Sequence, residues 1–155
     1  MNFRGVIISV LLLFLGGCLN QDLAYLTIRL DGTILSSEAG PISVEFHHAA
    51  QGEGVLAHPL GWIDEIVLDA SGPFTHQLDY PLHRGSGLFV YAWQDLDSDG
   101  LLCRPGGASE PSGGSDIINS LSLQITVEVI LEAACLGPER LVFDNAVDES
   151  TNRSI

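Results

Sequence analysis

Lysine is missing from this chain of 155 residues, whose 6 basic residues are all arginine and face 20 acidic residues. The formal net charge is −14, so the chain lacks the basic surface with which nucleic-acid binders neutralise phosphate. It also lacks a polybasic segment that could bind anionic lipid. The composition therefore argues against nucleic acid as a partner and against purely electrostatic attachment to a membrane.

An apolar run long enough to span a bilayer is also lacking. The run at Val6–Leu15 is apolar except for Ser9 and is short, whereas a transmembrane helix needs about 20 residues. It follows Arg4 near the amino terminus, and its length is typical of the apolar region of a signal peptide. The sequence therefore predicts export, with residues 1–17 as the signal peptide.

The apolar run ends in LGGC, residues 15–18. This segment resembles the lipobox of bacterial lipoproteins, and the resemblance implies that the sulfur of Cys18 is diacylated after residues 1–17 are removed. Two acyl chains anchor a protein stably in a membrane, whereas one would be marginal. The residue after Cys18 is Leu19 and not Asp. In lipoproteins of Gram-negative bacteria this resembles sorting to the outer membrane, where the protein would face the periplasm or the surface. The alternatives are an ordinary secretory signal with a chance cysteine, or an uncleaved anchor.

Cysteine is scarce, because only Cys103 and Cys135 are left once Cys18 is lipidated. An even number of cysteines in an exported chain predicts a disulfide. A bridge of this span stabilises a fold by about 3–4 kcal/mol in the chain-entropy model. A metal site is the weaker interpretation, since neither cysteine belongs to a CxxC pair.

Strands are predicted from apolar residues that alternate with polar ones, between turns rich in glycine and proline. The predicted strands are 24–30, 42–46, 62–68, 74–80, 87–93, 121–131 and a short one at 140–143. About seven half-buried strands predict an all-β fold, an antiparallel two-sheet sandwich.

The connections and domain limits follow from the same pattern. Asp31-Gly32 is predicted to be a turn, and the glycine-rich segment 106–115 is predicted to be a flexible loop. The sandwich is expected to occupy residues 23–144, after a lipidated tether at 18–22 and before a flexible acidic tail at 145–155.

The strand at 87–93 is apolar on both faces, which is typical of a central strand. One face carries Phe89, Tyr91 and Trp93. These rings are expected either to be covered by protein or to form a surface on which sugar rings stack. The second possibility makes a carbohydrate-binding module the alternative function.

An acidic loop follows this strand and has the pattern D-x-D-x-D-G, formed by Asp95, Asp97, Asp99 and Gly100. Carboxylates at alternate positions can converge on one hard cation, and calcium accepts six to eight oxygen ligands in flexible geometry. The backbone carbonyl of Leu101 is a natural further ligand. The loop is not an EF-hand, because a β-strand enters it and the bidentate Glu expected at its twelfth position is absent.

Residues 87–100, GLFVYAWQDLDSDG, resemble a segment of transthyretin-like β-sandwich domains, similar to the carboxypeptidase regulatory-like modules of bacterial surface proteins. In that family a strand runs into an acidic loop, and Glu-Pro often follows, here as Glu110 and Pro111. The resemblance implies a transthyretin/prealbumin-like fold, with Glu110 as a further calcium ligand. The chain departs from the family in the extra residues before Glu110, which include Cys103.

Catalytic signatures are not found in the sequence, which has neither a nucleophile elbow nor a zinc-protease, phosphate-loop or dinucleotide motif. His47 and His48 are strand neighbours that should point to opposite faces and cannot easily share an ion. His76 lies on the apolar face of its strand and is interpreted as a hydrogen-bonded core residue. We therefore expect a non-enzymatic envelope lipoprotein with a structural or adhesive role, whose partners are the membrane and an envelope polysaccharide or protein.

Overall fold

The computed structural model describes residues 24–52, 55–82 and 87–142, with the backbone alone at 50–52 and 55–59. The regular structure of these residues is mostly β-strand, and a helix begins at Pro138. The described strands are β1 (Tyr25–Leu35), β2 (Ile42–Gly52), β3 (Val55–Leu68), β4 (Gly72–Pro81), β5 (Leu88–Gln94), β6 (Pro111–Gly114), β7 (Gln124–Ile130) and β8 (Ala133–Ala134). They form two sheets, so the predicted all-β sandwich is confirmed at this level.

The smaller sheet has three strands in the order β4-β1-β7. Buried and exposed residues alternate along β7 and most of β1, so one face of the sheet is buried and the other is open to water. β1 is antiparallel to β4 but parallel to β7, with Arg29 opposite Gln124. The expectation of a purely antiparallel sandwich is therefore wrong for this pair. Side chains alternate in the same way in both kinds of strand, so the pattern carried no information about direction.

The larger sheet has five strands in the order β3-β2-β5-β6-β8. β5 lies in the middle of this sheet, as its apolar composition predicted, and every residue from Leu88 to Gln94 is buried. A strand buried on both faces needs protein on each side of its sheet. The smaller sheet covers one side, and later segments of the chain cover the other.

The main core lies between the two sheets and is built from aliphatic and aromatic side chains that alternate inward. Its members include Ile28, Leu30, Ile34, Val44, Phe46, Leu78, Leu88, Val90, Val127 and Val129. Full burial of a Leu, Ile or Phe side chain stabilises a fold by roughly 1.5–3 kcal/mol. This core holds β5 in place, and β5 positions the acidic loop that follows it.

His76 on β4 lies at one margin of the core, next to β3 of the opposite sheet. Its Nε2 atom is 2.9 Å from Asp64 Oδ2, and its ring stacks on Phe46 with centroids 5.0 Å apart. The predicted hydrogen bond of His76 is present, but its side chain is 20% exposed, so the residue lies at the margin and not within the core. The contact joins β4 of the smaller sheet to β3 of the larger sheet.

The predicted turn at Asp31-Gly32 is wrong, because β1 continues through both residues to Leu35. Gly32 is opposite Phe74 in the ladder with β4. The Asp31 carboxylate accepts hydrogen bonds from Thr75 and Gln124 on the two neighbouring strands. A side chain that bonds across the sheet cannot at the same time cap a turn. Pairing with the neighbouring strands therefore outweighs the local preference of Asp-Gly for a turn.

Two further expectations near the carboxyl end are corrected. The predicted flexible loop at 106–115 contains β6, in which Gly113 fits because a side chain there would overlap the backbone of Ile130. The predicted strand at 140–143 is helical as far as it is described, to residue 142. Proline is favoured at the first position of a helix, and Pro138 stands there.

Several expectations concern parts of the chain outside the described residues. The predicted signal peptide, the tether, Cys18 and the acidic tail all fall there. Within the described part of the chain, no helix combines the length and the apolar composition needed to cross a bilayer.

Candidate metal centre

The acidic loop begins where β5 ends and returns to the larger sheet at β6. Its first residue is fixed to the fold, since the Asp95 backbone N–H donates to the Pro41 carbonyl at 3.1 Å. Ser98 and Gly100 have φ angles of 58° and 73°, so the chain reverses through the left-handed region. Glycine adopts this conformation without steric cost, as the sequence motif required.

The three predicted carboxylates converge. Asp95, Asp97 and Asp99 each offer an oxygen, and these oxygens all lie within 4.8 Å of one another. Asp97 is exposed, whereas Asp95 and Asp99 are half-buried. Carboxylate oxygens on a flexible turn are the donor set that calcium prefers. The residues therefore fit a hard divalent cation.

Hydrogen bonds from the loop's own backbone hold this arrangement. The Asp95 carboxylate accepts N–H groups from Asp99 at 3.2 Å and from Gly100 at 3.0 Å. Asp99 Oδ1 accepts the Leu101 N–H at 2.8 Å. Each carboxylate oxygen has two lone pairs, so accepting one N–H leaves room for a cation. Whether the carbonyl of Leu101 is a ligand stays a prediction.

One positive charge already stands beside the cluster. Arg104 Nε lies 3.0 Å from Asp99 Oδ2 and forms an ion pair with it. The arginine side chain is 57% exposed, and an exposed ion pair contributes little to stability, with a median near 0–1 kcal/mol. Arg104 can therefore move away at little cost, but while it is paired it competes with a metal ion.

Glu110 lies outside the group of three carboxylates and has a different position. Its side chain is only 1% exposed. One oxygen accepts the Leu96 N–H at 3.0 Å and the other accepts the Cys103 N–H at 2.6 Å. The carboxylate thus joins the beginning and the middle of the loop, and its role as a metal ligand remains a prediction.

The two cysteines meet at the side of the loop. The sulfur atoms of Cys103 and Cys135 lie 2.16 Å apart with a Cα–Cα distance of 5.4 Å, the arrangement of a disulfide bond. The pairing agrees with the one predicted. It connects the acidic loop to the end of β8, and the Cys135 N–H donates to the Glu110 carbonyl at 3.0 Å next to it.

The aromatic face of β5 is covered, which corrects the alternative prediction of a sugar-binding platform. Phe89 is 0% exposed, Tyr91 is 1% exposed and Trp93 is 8% exposed. They form a second core with Val142, against which Leu102 and other partly buried residues pack. Rings buried to this extent cannot stack on a sugar in this conformation, because stacking needs an open ring face.

Polar residues of β2 line the same covered face, and no role was predicted for them from the sequence. Glu45 accepts the indole N–H of Trp93 at 3.2 Å and lies 2.8 Å from Nε2 of His47. Burial and the nearby negative charge of Glu45 raise the pKa of the Tyr91 phenol far above its usual value. Tyr91 is therefore a neutral hydrogen-bond donor. The β2 alternation could have identified this cluster, because it directs Ser43, Glu45 and His47 to one face.

Fold and site together define a class: an all-β sandwich-like domain whose central strand runs into an acidic loop beside a disulfide. No protein-family model matches the chain, and neither a curated protein nor a solved structure matches it.

Proposed function

We propose that this chain is a non-enzymatic lipoprotein of the bacterial cell envelope, held in the outer membrane through lipid on Cys18. Its β-sandwich would have a structural or adhesive role, and calcium would stiffen the loop at Asp95–Asp99. The observation that carries the calcium part is the convergence of three carboxylate oxygens within 4.8 Å. The LGGC segment at residues 15–18 supports the lipid anchor.

Calcium would act structurally. The loop connects β5 at the centre of the larger sheet with β6 and the disulfide, so a bound ion would fix this end of the sandwich. Three carboxylates this close repel one another, and Arg104 offsets only part of their charge. A divalent cation would remove the remaining repulsion.

A transthyretin-like sandwich is part of the proposal. It is supported by the two-sheet all-β architecture and by the position of the acidic loop directly after the central strand β5. The residues by which the chain departs from the family pattern, between the loop and Glu110, contain Cys103 and therefore the link to Cys135. The extra residues thus make a longer connection between β5 and β6, and the disulfide stabilises this connection.

Calcium binding is tested by thermal unfolding of the chain that begins at residue 19. We expect calcium to raise the Tm, with a gain of about 2.7 kcal/mol at 100 times Kd. Asp97→Asn should abolish the gain, whereas Asp69→Asn in the exposed β3–β4 turn should retain it. Arg104→Gln should strengthen binding by removing the competing charge. An unchanged Tm with calcium, or an undiminished gain in Asp97→Asn, would reject the site.

Lipidation is tested separately in cells that express the full chain. An alkyne analogue of palmitate should label the protein, and the protein should sediment with outer membranes. Cys18→Ser should lose both properties, whereas Cys103→Ser should keep the label because its sulfur is not in the lipobox. Equal labelling of Cys18→Ser and the unchanged chain would show that Cys18 is not the lipidated residue.

A further inference from the structure

The final described segment, residues 135–142, crosses the outer face of the larger sheet and is here called the C-terminal strap. It begins at Cys135, directly after β8, and ends in the helix at 138–142. Val142 is 3% exposed and belongs to the second core with Phe89, Tyr91 and Trp93, against which Leu141 also packs. The strap is thus part of what keeps this aromatic face from water.

Among the described residues, a small set of hydrogen bonds holds the beginning of the strap, and the first runs from the Cys135 N–H to the Glu110 carbonyl at 3.0 Å. The Tyr91 hydroxyl donates to the Leu136 carbonyl at 2.9 Å, and the Leu136 N–H donates to Ser112 Oγ at 3.3 Å. The strand before it, β8, has only two residues. A short segment that few hydrogen bonds join to the sheet opens at a lower free energy than the main core.

The disulfide is the covalent attachment of the strap, and it is accessible. Cys135 is exposed and Cys103 is half-buried. Both cysteines have left-handed backbone conformations, with φ angles of 49° at Cys103 and 57° at Cys135. Residues with a side chain disfavour this region, so the backbone is strained at both ends of the disulfide.

Glu110 connects the disulfide to the acidic loop. Its carboxylate accepts the Cys103 N–H, and its backbone carbonyl accepts the Cys135 N–H. Movement of Cys103 therefore disturbs a buried carboxylate that also holds the Leu96 N–H, and movement of Cys135 disturbs the backbone of the same residue. Opening the disulfide would loosen the strap and the loop together.

We propose that the Cys103–Cys135 disulfide is a redox-sensitive latch, which when reduced releases the C-terminal strap and uncovers the aromatic face of β5. The reductant is a dithiol. Its thiolate attacks the sulfur of Cys135, which is an exposed residue, the S–S bond breaks, and Cys103 leaves as a thiolate that takes up a proton. The second thiol of the reductant then displaces Cys135, so two electrons reduce the protein disulfide and the reductant becomes a disulfide. The latch depends on neither the calcium site nor the lipid anchor.

Tryptophan fluorescence tests the latch, because Trp93 is 8% exposed and Trp62 is 58% exposed. In full-length Trp62→Phe, without added calcium, only Trp93 is left to report. Dithiothreitol should shift its emission to the red and raise its quenching by acrylamide severalfold. In Trp93→Phe, the exposed Trp62 should report no comparable change. A Trp93 signal that stays the same after complete reduction would overturn the proposal.

Hydrogen exchange distinguishes local release from general unfolding. After reduction, amides of residues 136–142 should lose protection, whereas those of β1 and β7 should keep it. The double variant Cys103→Ser/Cys135→Ser should show the released pattern without any reductant. Retained protection of 136–142, or equal loss of protection in β1 and β7, would contradict a latch.

Discussion

The sandwich has two outer faces that are built on different principles. On the smaller sheet, Thr27 bonds to Asp79 at 2.7 Å, and Asp31 accepts hydrogen bonds from Thr75 and Gln124. On the larger sheet, the outer face of β5 carries three aromatic rings that later parts of the chain cover. The first face is stable in contact with water, whereas the second depends on the strap and the disulfide.

The difference shows where the fold is vulnerable. Polar side chains on the open face satisfy one another within the sheet, so a change there has mainly local consequences. The covered face depends on segments far away in the sequence, which joins the disulfide, Glu110 and the strap into one region. The following substitutions test this contrast.

Truncation of a ring on the covered face should have the largest effect. Phe89→Ala removes a fully buried ring and should cost roughly 3–5 kcal/mol, because it leaves a cavity. Gln77→Ala on the open face should stay within about 0.5 kcal/mol. Urea unfolding of both variants measures the two values. Similar small losses would mean that the strap does not cover β5 in solution.

Loss of the disulfide should come next. Cys103→Ala should lower the free energy of unfolding by about 3–4 kcal/mol, as expected for a bridge between residues 32 apart in sequence. Cys135→Ala should cost the same, and the double variant should cost no more than either single one, because each removes the same bond. Cys18→Ala is the matched control and should leave stability unchanged in denaturant titrations. Additive losses would show that the cysteines act separately.

Glu110 should matter less than the disulfide but more than an acid on the open face. Glu110→Gln replaces an oxygen acceptor with a donor that faces a backbone N–H, which should cost about 1–3 kcal/mol. Glu128→Gln, the same change at an exposed position of β7, should be nearly neutral in thermal unfolding. Equal Tm values for the two variants would show that the Glu110 carboxylate does not stabilise the covered region.

The smallest effect is expected at Asp31, and it should depend on pH. The hydrogen bond from Thr75 lowers the pKa of Asp31 below its ordinary value of 3.8, helped by Gln124 and Arg29 against the opposing effect of burial. Its contribution to stability is therefore present above pH 3.8 and is lost as the pH falls through the lowered pKa. The stability difference between the unchanged chain and Asp31→Asn should shrink as the pH falls, as followed by urea unfolding. A difference that grows on acidification would contradict this sign.

Regular alternation made the open face predictable from sequence. Ile125, Val127 and Val129 are all buried in β7, with exposed residues between them, as their spacing predicted. The predicted strand 121–131 began too early, because β7 starts at Gln124 and Leu123 is 70% exposed. The apolar composition of β5 likewise predicted a central strand. Both predictions rest on side-chain periodicity, which sheet geometry imposes directly.

The parts that escaped prediction depend on contacts between distant residues. β6 consists of Pro, Ser and Gly, and it is a strand because Gly113 fits against Ile130, not because its residues favour strands. The Asp motif predicted the converging carboxylates, but the sequence could not show Arg104 beside Asp99 or both oxygens of Glu110 accepting backbone N–H groups. The spacing of the Asp residues predicts the acidic turn, whereas the residues that contact this turn are brought to it by the tertiary structure.

The parallel pairing of β1 with β7 also constrains the order in which the chain can fold. Gln124 reaches Asp31 across a separation of 93 residues, so the smaller sheet cannot be completed until nearly the whole domain has been synthesised. Contacts this distant in sequence slow folding, because the chain between them loses conformational entropy before the pairing contributes any favourable free energy. Until then β1 pairs with β4 alone, and its other edge keeps unpaired backbone N–H and C=O groups. A chain released before β7 is made would therefore expose an incomplete sheet that tends to aggregate and that chaperones and proteases recognise.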